Sequence, residues 1–136
     1  MAINSERDVD MAQETSRRKY DLEGRLLEYS VGITRLVEEL PNTRTGNHVA
    51  GQILRSGTSP CSNHAEAQSA ASPSDFVHRL RICLKELRET KRWLLLIRRV
   101  PLVKSFIRTD MLLQETEELI KIFVRSIRTA EARKRA

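Results

Sequence analysis

The sequence predicts an all-α protein, arranged as an antiparallel up-down-up-down four-helix bundle. Of its 136 residues only 4% are aromatic, five are glycine and four are proline, a composition that favours helix over sheet. Three long segments carry apolar residues at alternating steps of four and three, the spacing of one buried helix face. A chain of this length fits a single domain.

The first helix is expected over residues 18–40, after a polar N-terminal tail at residues 1–17 that lacks periodicity and is predicted to be flexible. Gly24 and Gly32 lie within this helix, where their small size is expected to permit close approach by another helix. Pro41 ends it. Its apolar face consists of Leu22, Leu26, Tyr29, Ile33, Leu36 and Leu40.

The second helix is expected over residues 46–71, with Thr45 as a candidate cap. Its later core positions are small or polar, so it should pack closely among the other helices. Pro60 predicts a bend and clashes with the Ser56 carbonyl, and nearby serine and threonine residues are expected to satisfy the freed carbonyl groups by hydroxyl bonds or through water. Asn63 and Glu66 are expected to form a buried polar pair that fixes helix register. The candidate core positions are Gly57, Pro60 or Cys61, His64 or Ala65, and Ala67.

The third helix, residues 73–99, has the clearest start. Ser72 can cap it, Pro73 suits the first helical position, and Asp75 can reach back to the cap amide. The residue before Pro101 is disfavoured from the helical region, which ends the helix. The buried face is predicted to contain Phe76, Leu80, Cys83, Leu87, Thr90, Leu94 and Ile97.

The fourth helix is expected over residues 105–132, followed by a basic tail at residues 133–136. Glutamates lie towards its N-terminal end and arginines towards its C-terminal end, where the helix dipole favours each charge. Its predicted core positions are Leu112, Thr116, Leu119, Phe123, Ile127 and Ala130.

Positive charge is concentrated in two segments. Residues 76–99 hold eight basic and two acidic residues, and residues 121–136 hold six basic and one acidic. The two segments together carry a charge of +11. Because the net charge of the protein is +6, the rest of the chain carries −5. On the third helix the cations form one stripe opposite the apolar face. Segregated positive charge of this kind is typical of a polyanion binder. The predicted nucleic-acid-binding residues are Arg81, Lys85, Arg88, Arg92, Arg99, Arg125 and Arg128.

The cysteine, histidine and serine patterns do not indicate a catalytic or metal site, so no catalytic residue, metal or cofactor is predicted. Cys61 and His64 share a helical face, but His78 and Cys83 lie five residues apart and point to different faces, which favours a small buried thiol and a surface histidine over a zinc site. Ser59 lacks an evident base and carboxylate partner. With two cysteines and no signal-peptide pattern, the protein is expected in the cytoplasm, without a disulfide scaffold.

Several motifs follow one another along the second and third helices. A serine-rich turn precedes Asn-x-x-Glu and then Ser-x-x-Asp-Phe, and a later Glu-Thr follows. The residues of these motifs are Ser56, Ser59, Asn63, Glu66, Ser72, Asp75, Phe76, Glu89 and Thr90. Together they resemble the pattern of the small bacterial four-helix-bundle family first known from intervening sequences of 23S rRNA genes. The resemblance covers about residues 20–128, although Pro60, His64, Ala67 and Lys85-Glu86 depart from the family pattern.

The resemblance implies a homopentameric ring, no enzymatic activity, and a relation to accessory proteins of diversity-generating retroelements, which bind nucleic acid and a reverse transcriptase. Contacts in such a ring would bury leftover apolar positions such as Leu84, Trp93, Leu95 and Leu96.

Two functions fit these observations. The first is non-catalytic, non-sequence-specific binding of the RNA or DNA backbone, because the chain offers few aromatics for stacking and no base-reading motif. The second is a protein-interaction scaffold whose arginines bind an acidic partner or a neighbouring subunit. Binding of the basic last helix to a membrane is disfavoured, since the bundle needs its apolar face.

Overall fold

A computed structural model describes the backbone of residues 2–135 and the side chains of residues 9, 10 and 22–135. This part of the chain contains no strand and folds into four long helices, which confirms the all-α prediction. Over the described residues, no helix combines the length and apolarity needed to span a bilayer. The helices are α1 (Ala2–Glu39), α2 (Arg44–Gln68), α3 (Pro73–Arg99) and α4 (Ile107–Arg135).

The helices form the predicted up-down-up-down bundle. Each helix packs against the next one in the chain, and α4 returns to α1, so the four helices enclose one core. The helices α1 and α4 run antiparallel, since Arg25 pairs with Glu115 whereas Glu39, later in α1, pairs with Arg108, earlier in α4. The α1 and α4 pair has the sparsest contact of the four and leaves an open groove along one side of the bundle.

Three of the four predicted apolar faces are buried almost as the spacing indicated. Leu22, Leu40 and Ala130 lie at the edges of the core and are half-buried. On α3 the first core residue is Val77, and Phe76 is only half-buried, so the predicted face was wrong by one position at its start. On α2 the buried choices are Pro60 and His64, because Cys61 is half-buried and Ala65 is exposed.

The helix ends differ from the predicted bounds at several points. Thr43, rather than Thr45, caps α2, and its side chain accepts a hydrogen bond of 3.0 Å from the Gly46 amide. The α2 helix ends at Gln68, before the expected residue 71, and α4 runs from residue 107 to 135. The helix α1 starts at Ala2, not residue 18. The predicted flexibility of residues 1–17 stays a prediction, since their side chains, Val9 and Asp10 apart, lie outside the described residues.

Small residues let α1 approach its neighbours at two positions. A Cβ added to Gly57 would lie 2.7 Å from Ile33 Cγ1, and one added to Gly32 would lie 3.0 Å from Leu112 Cδ2. The expected close approach is therefore confirmed for Gly32 and wrong for Gly24, where a Cβ would meet nothing within 4 Å. Close packing of α1 on α2 is made possible by the glycine of α2 rather than by a glycine of α1.

Pro60 lies inside α2 and is buried, and the serine and threonine residues around it bond the helix backbone. Thr58 and Ser59 donate to the carbonyls of Leu54 and Arg55, each at 2.6 Å, and Ser62 donates to the Ser59 carbonyl at 3.0 Å. None of these three hydroxyls is bonded to the Ser56 carbonyl, so the predicted direct hydroxyl bond is not formed by them, and the alternative through water stays a prediction. The hydroxyls bond carbonyls one turn before their own residue, as is usual within a helix.

A layer of four buried hydroxyls crosses the core, with one residue from each helix. Ser56 Oγ lies 2.9 Å from Thr90 Oγ1, and Tyr29 Oη lies 2.6 Å from Thr116 Oγ1. Burial raises the pKa of Tyr29 far above its ordinary value, and the hydrogen bond with Thr116 partly offsets that rise. This hydroxyl layer, Tyr29, Ser56, Thr90 and Thr116, gives every buried side-chain oxygen in it a partner, which a stable core requires.

Candidate nucleic-acid interface

The basic stripe of α3 borders a long shallow groove between α3 and α4. Arg81, Lys85 and Arg88 line one part of it, with a volume of about 370 Å³. Arg88 and Arg92 line the next part, of about 390 Å³, together with Lys91. The two parts share Arg88, so we treat them as one α3/α4 groove. The structure thus brings four of the seven predicted binding residues to one surface.

Apolar side chains form the floor of the α3/α4 groove. Leu84 and Leu95 come from α3, and Ile120 and Ile127 come from α4. The prediction treated Leu84 and Leu95 as leftover positions for subunit contacts, and it did not single out Ile120. Ile127 was predicted for the core and is buried, and the seven-residue spacing from Ile127 is the signal that could have placed Ile120 on the same side of α4.

Acidic residues of α4 neutralise some of the α3 cations but not others. Arg81 pairs with Glu131, Lys91 Nζ lies 2.5 Å from Glu117 Oε1, and Arg98 Nε lies 3.2 Å from Asp110 Oδ1. Among the side chains that the structure describes, no ion pair involves the exposed cations Lys85, Arg88 and Arg92. These three, the groove cations, are consecutive members of the stripe and lie between the pairs made by Arg81 and Arg98. Positive charge on this surface is therefore locally uncompensated.

The remaining predicted binding residues lie away from this groove lining. Arg99 is exposed at the end of α3, and Arg125 and Arg128 are exposed on α4. Both side chains are exposed, so they point away from the core of the bundle. The two basic segments nevertheless adjoin, since Leu84 of α3 and Ile127 of α4 line the same part of the groove.

The polar residues at the junction of α2 and α3 mostly stabilise the fold. Ser72 accepts a hydrogen bond of 3.1 Å from the Asp75 amide, as predicted for an N-cap. Asp75 reaches back one residue further than expected and accepts from the Ala71 amide at 3.3 Å. Phe76, half-buried, borders a cavity of about 490 Å³ at this end of the bundle, beside Ala130.

Asn63 and Glu66 do not form the predicted pair. Asn63 Nδ2 donates to Glu86 Oε1 at 2.8 Å, whereas exposed Glu66 pairs with Arg79. Both partners belong to α3, so each residue joins α2 to α3 instead of to its own helix neighbour. Burial raises the pKa of Glu86, and the hydrogen bond from Asn63 partly offsets that rise. Glu86 was treated only as a departure from a family pattern, and its spacing on the sequence gave no sign of this contact.

Cys83, His64 and Ser59 each make contacts within the fold. Burial raises the pKa of the Cys83 thiol to about 12, which keeps it protonated and unreactive. His64, one of the two alternatives given for its core position, is buried against Phe123 at 6.1 Å between ring centroids, whereas His78 is exposed. Ser59 uses its hydroxyl on the helix backbone. Within the described residues, no three His, Cys, Asp or Glu side chains are placed to share a metal ion.

Comparison with known proteins agrees with this architecture. The family model described as 23S rRNA-intervening sequence protein matches residues 20–125, which is most of the chain. The chain belongs to this family. No curated protein matches it.

A solved structure supports the same family assignment. It is the crystal structure of a protein of unknown function from the S23 ribosomal protein family of Bacteroides thetaiotaomicron, at 34% sequence identity and a TM-score of 0.71. The match covers 77% of the present chain and 96% of the other one. Residues 20–125, which the family model matches, include parts of all four helices.

Proposed function

We propose that this 23S rRNA-intervening sequence protein is a non-catalytic nucleic-acid-binding protein that holds an RNA or DNA backbone along the α3/α4 groove. The observation that carries the proposal is the row of groove cations, Lys85, Arg88 and Arg92, which are exposed on one wall and have no described acidic partner. Phosphates would supply the compensating charge. Arginine suits this role because its planar guanidinium can bond two phosphate oxygens.

Binding through phosphates has a measurable salt signature. Each phosphate contact contributes about −0.9 to the slope of log affinity against log salt on duplex DNA and about −0.7 on a single strand. Three groove cations therefore account for about 2 to 3 units of slope. Arg99, Arg125 and Arg128 extend the positive surface and would contribute further to the slope with longer nucleic acids.

A charge-matched pair of triple variants tests the proposal by fluorescence anisotropy over a range of salt concentrations. The groove variant is Lys85→Gln, Arg88→Gln and Arg92→Gln. The control variant is Arg35→Gln, Arg44→Gln and Lys104→Gln, which removes the same charge from residues outside the α3/α4 groove. We expect the groove variant to lose about 2 units of salt slope and the control to lose little. Equal losses would mean that only net charge matters, and the proposal of a site would fail.

A protein-interaction scaffold is the second candidate, and one surface favours it. The groove between α1 and α4 has a volume of about 530 Å³ and is bordered by Ile107 and Met111, whose side chains are 74% and 67% exposed. Large apolar side chains this exposed mark interaction surfaces when they cluster. Retention of no RNA or DNA at about 50 mM salt, where phosphate contacts are strong, would favour this candidate.

We further propose that the protein self-associates, as the family resemblance implies for a homopentameric ring, and acts as an accessory factor. Five of the eight exposed large apolar residues among those described lie between residues 95 and 111, at one end of the bundle. Light scattering coupled to gel filtration should give a mass several times 15.7 kDa. Ile107→Lys with Met111→Lys should reduce that mass if this end is the contact surface. A neighbouring reverse transcriptase gene, or a position within an rRNA operon, would identify the accessory role.

A further inference from the structure

The α3/α4 groove combines two chemical characters that one class of nucleic acid can satisfy together. Its α3 wall carries the groove cations, and its floor consists of Leu84, Leu95, Ile120 and Ile127. Leu95 is 43% exposed, so apolar surface is accessible directly beside the cations. Leu84, Ile120 and Ile127 also pack in or against the core, so Leu95 is the floor residue whose apolar surface a ligand can cover.

Duplex and single-stranded nucleic acids differ in what they present to such a surface. A duplex stacks its bases inside and shows phosphate ridges with polar groove edges between them. A single strand also exposes the apolar faces of its bases, which proteins cover with apolar side chains or with the planes of arginine guanidinium groups. Arg88 and Arg92 lie beside Leu95 and Ile120 and provide both kinds of surface.

The position of α3 in the bundle also disfavours a duplex. A recognition helix reads duplex DNA by entering the major groove, which is about 12 Å wide. α3 is flanked by α2 on one side and α4 on the other, so it cannot project into a groove without its neighbours. A flexible strand, in contrast, can follow a shallow channel. Residues 81–95 extend about 21 Å at the helical rise, which is room for about six nucleotides at the rise of stacked bases.

From these observations, and resting on the function proposed above, we propose that the α3/α4 groove binds single-stranded nucleic acid, with phosphates on the groove cations and base faces on the apolar floor. The floor makes the site selective for strands whose bases are unpaired. The four aliphatic side chains neither donate nor accept hydrogen bonds, and Lys91 and Glu117 of the same lining are paired with each other. The selectivity therefore concerns strandedness and not sequence.

Three ligands of equal length separate this proposal from simple charge attraction. They are a 12-nucleotide single strand, the blunt duplex of the same sequence, and a 12-unit sugar-phosphate strand without bases, each at the same salt concentration. The duplex has the highest charge density, so a purely electrostatic surface would bind it most tightly. We expect the single strand to bind more tightly than the duplex, and about fivefold more tightly than the abasic strand, a modest value for aliphatic rather than aromatic contacts.

Adjacent leucines supply a matched pair of variants. Leu95 lines the groove and Leu96, 39% exposed, lies on the next side of the helix outside the groove lining. Leu95→Ala should remove most of the single-strand advantage and leave abasic-strand affinity unchanged, whereas Leu96→Ala should alter neither affinity. Both are partly exposed, and circular dichroism verifies that both variants fold.

The outcomes distinguish failure of the proposed nucleic-acid function from failure of the single-strand proposal. If none of the three ligands binds at low salt, the proposed nucleic-acid function is wrong. If the ligands bind but the duplex equals or exceeds the single strand, or the abasic strand equals the single strand, the groove is only a phosphate site and the single-strand proposal is overturned. Identical effects of Leu95→Ala and Leu96→Ala would likewise overturn the role of the floor.

Discussion

Replacing Gly57 by alanine tests the contact that brings α1 and α2 together. An added Cβ would lie 2.7, 2.8 and 2.9 Å from three side-chain carbons of Ile33, distances that force a neighbour to move. Ile33 is fully buried, and its branched Cβ restricts χ1, so it cannot rotate away freely. Overpacking of this kind costs about 1 to 3 kcal/mol. Alanine also gains up to about 1 kcal/mol over glycine inside a helix, which conceals part of that cost.

Gly51→Ala removes this ambiguity because Gly51 lies in the same helix and a Cβ there would meet nothing within 4 Å. The helix-propensity gain is common to both variants, so the difference between them measures the packing strain alone. We expect Gly57→Ala to be less stable than Gly51→Ala by about 1 to 3 kcal/mol. Urea unfolding followed by circular dichroism, at one fixed protein concentration, gives both free energies.

Equal stability of the two variants would refute the packing argument at Gly57. Truncating Ile33 provides an independent check through a double-mutant cycle. If the strain comes from Ile33, Ile33→Ala and Gly57→Ala combined should destabilise the protein by less than the sum of their separate effects. Additive effects would place the cause of any destabilisation elsewhere.

Two further predictions concern buried polar groups. Thr90→Val should destabilise the fold by about 1 to 3 kcal/mol, because Ser56 loses its partner in the hydroxyl layer, while Thr34→Val on the exposed face of α1 should stay within about 0.5 kcal/mol. Urea unfolding measures both, and equal effects would argue against the layer. Burial raises the folded-state pKa of Glu86 above its unfolded value, so its ionisation lowers stability as pH rises through the folded pKa. Glu86→Gln should therefore stabilise the protein slightly at pH 7 and lose that advantage near pH 4. Urea unfolding at several pH values measures the difference in unfolding free energy between the variant and the original protein, and a difference that does not change with pH would contradict this.

The sequence predicted the parts of the fold that repeat along the chain. The apolar faces of α1, α3 and α4 follow from helical spacing, because a wrong assignment would expose many large side chains at once. The start of α3 was equally clear, since Ser72 and Pro73 have strong positional preferences. The start of α2 was misplaced because both Thr43 and Thr45 can cap a helix, and the choice depends on where the backbone leaves α1.

Contacts between helices were harder to predict than the helices themselves. Asn63 and Glu66 are three residues apart, which suggested a pair on one face of α2. Each instead bonds a residue of α3, Asn63 with Glu86 and Glu66 with Arg79. The hydroxyl layer was missed because its members look like isolated polar interruptions in four separate segments. The basic stripe was predictable from α3 alone, whereas the ion pairs that neutralise Arg81 and leave Lys85 without a described partner depend on the register of α4.

The register of α4 against its neighbours links the hydrogen bonds of the core to the ion pairs of the surface. Sliding α4 along α3 by a single turn would separate Thr116 from Tyr29 and leave hydroxyls in the dry centre of the protein with nothing to bond. The buried hydroxyl groups thus fix the register of α4, and that register determines which carboxylates of α4 can pair with which arginines at the surface. Substitutions deep in the bundle could for this reason alter the charge pattern of a surface that they never touch.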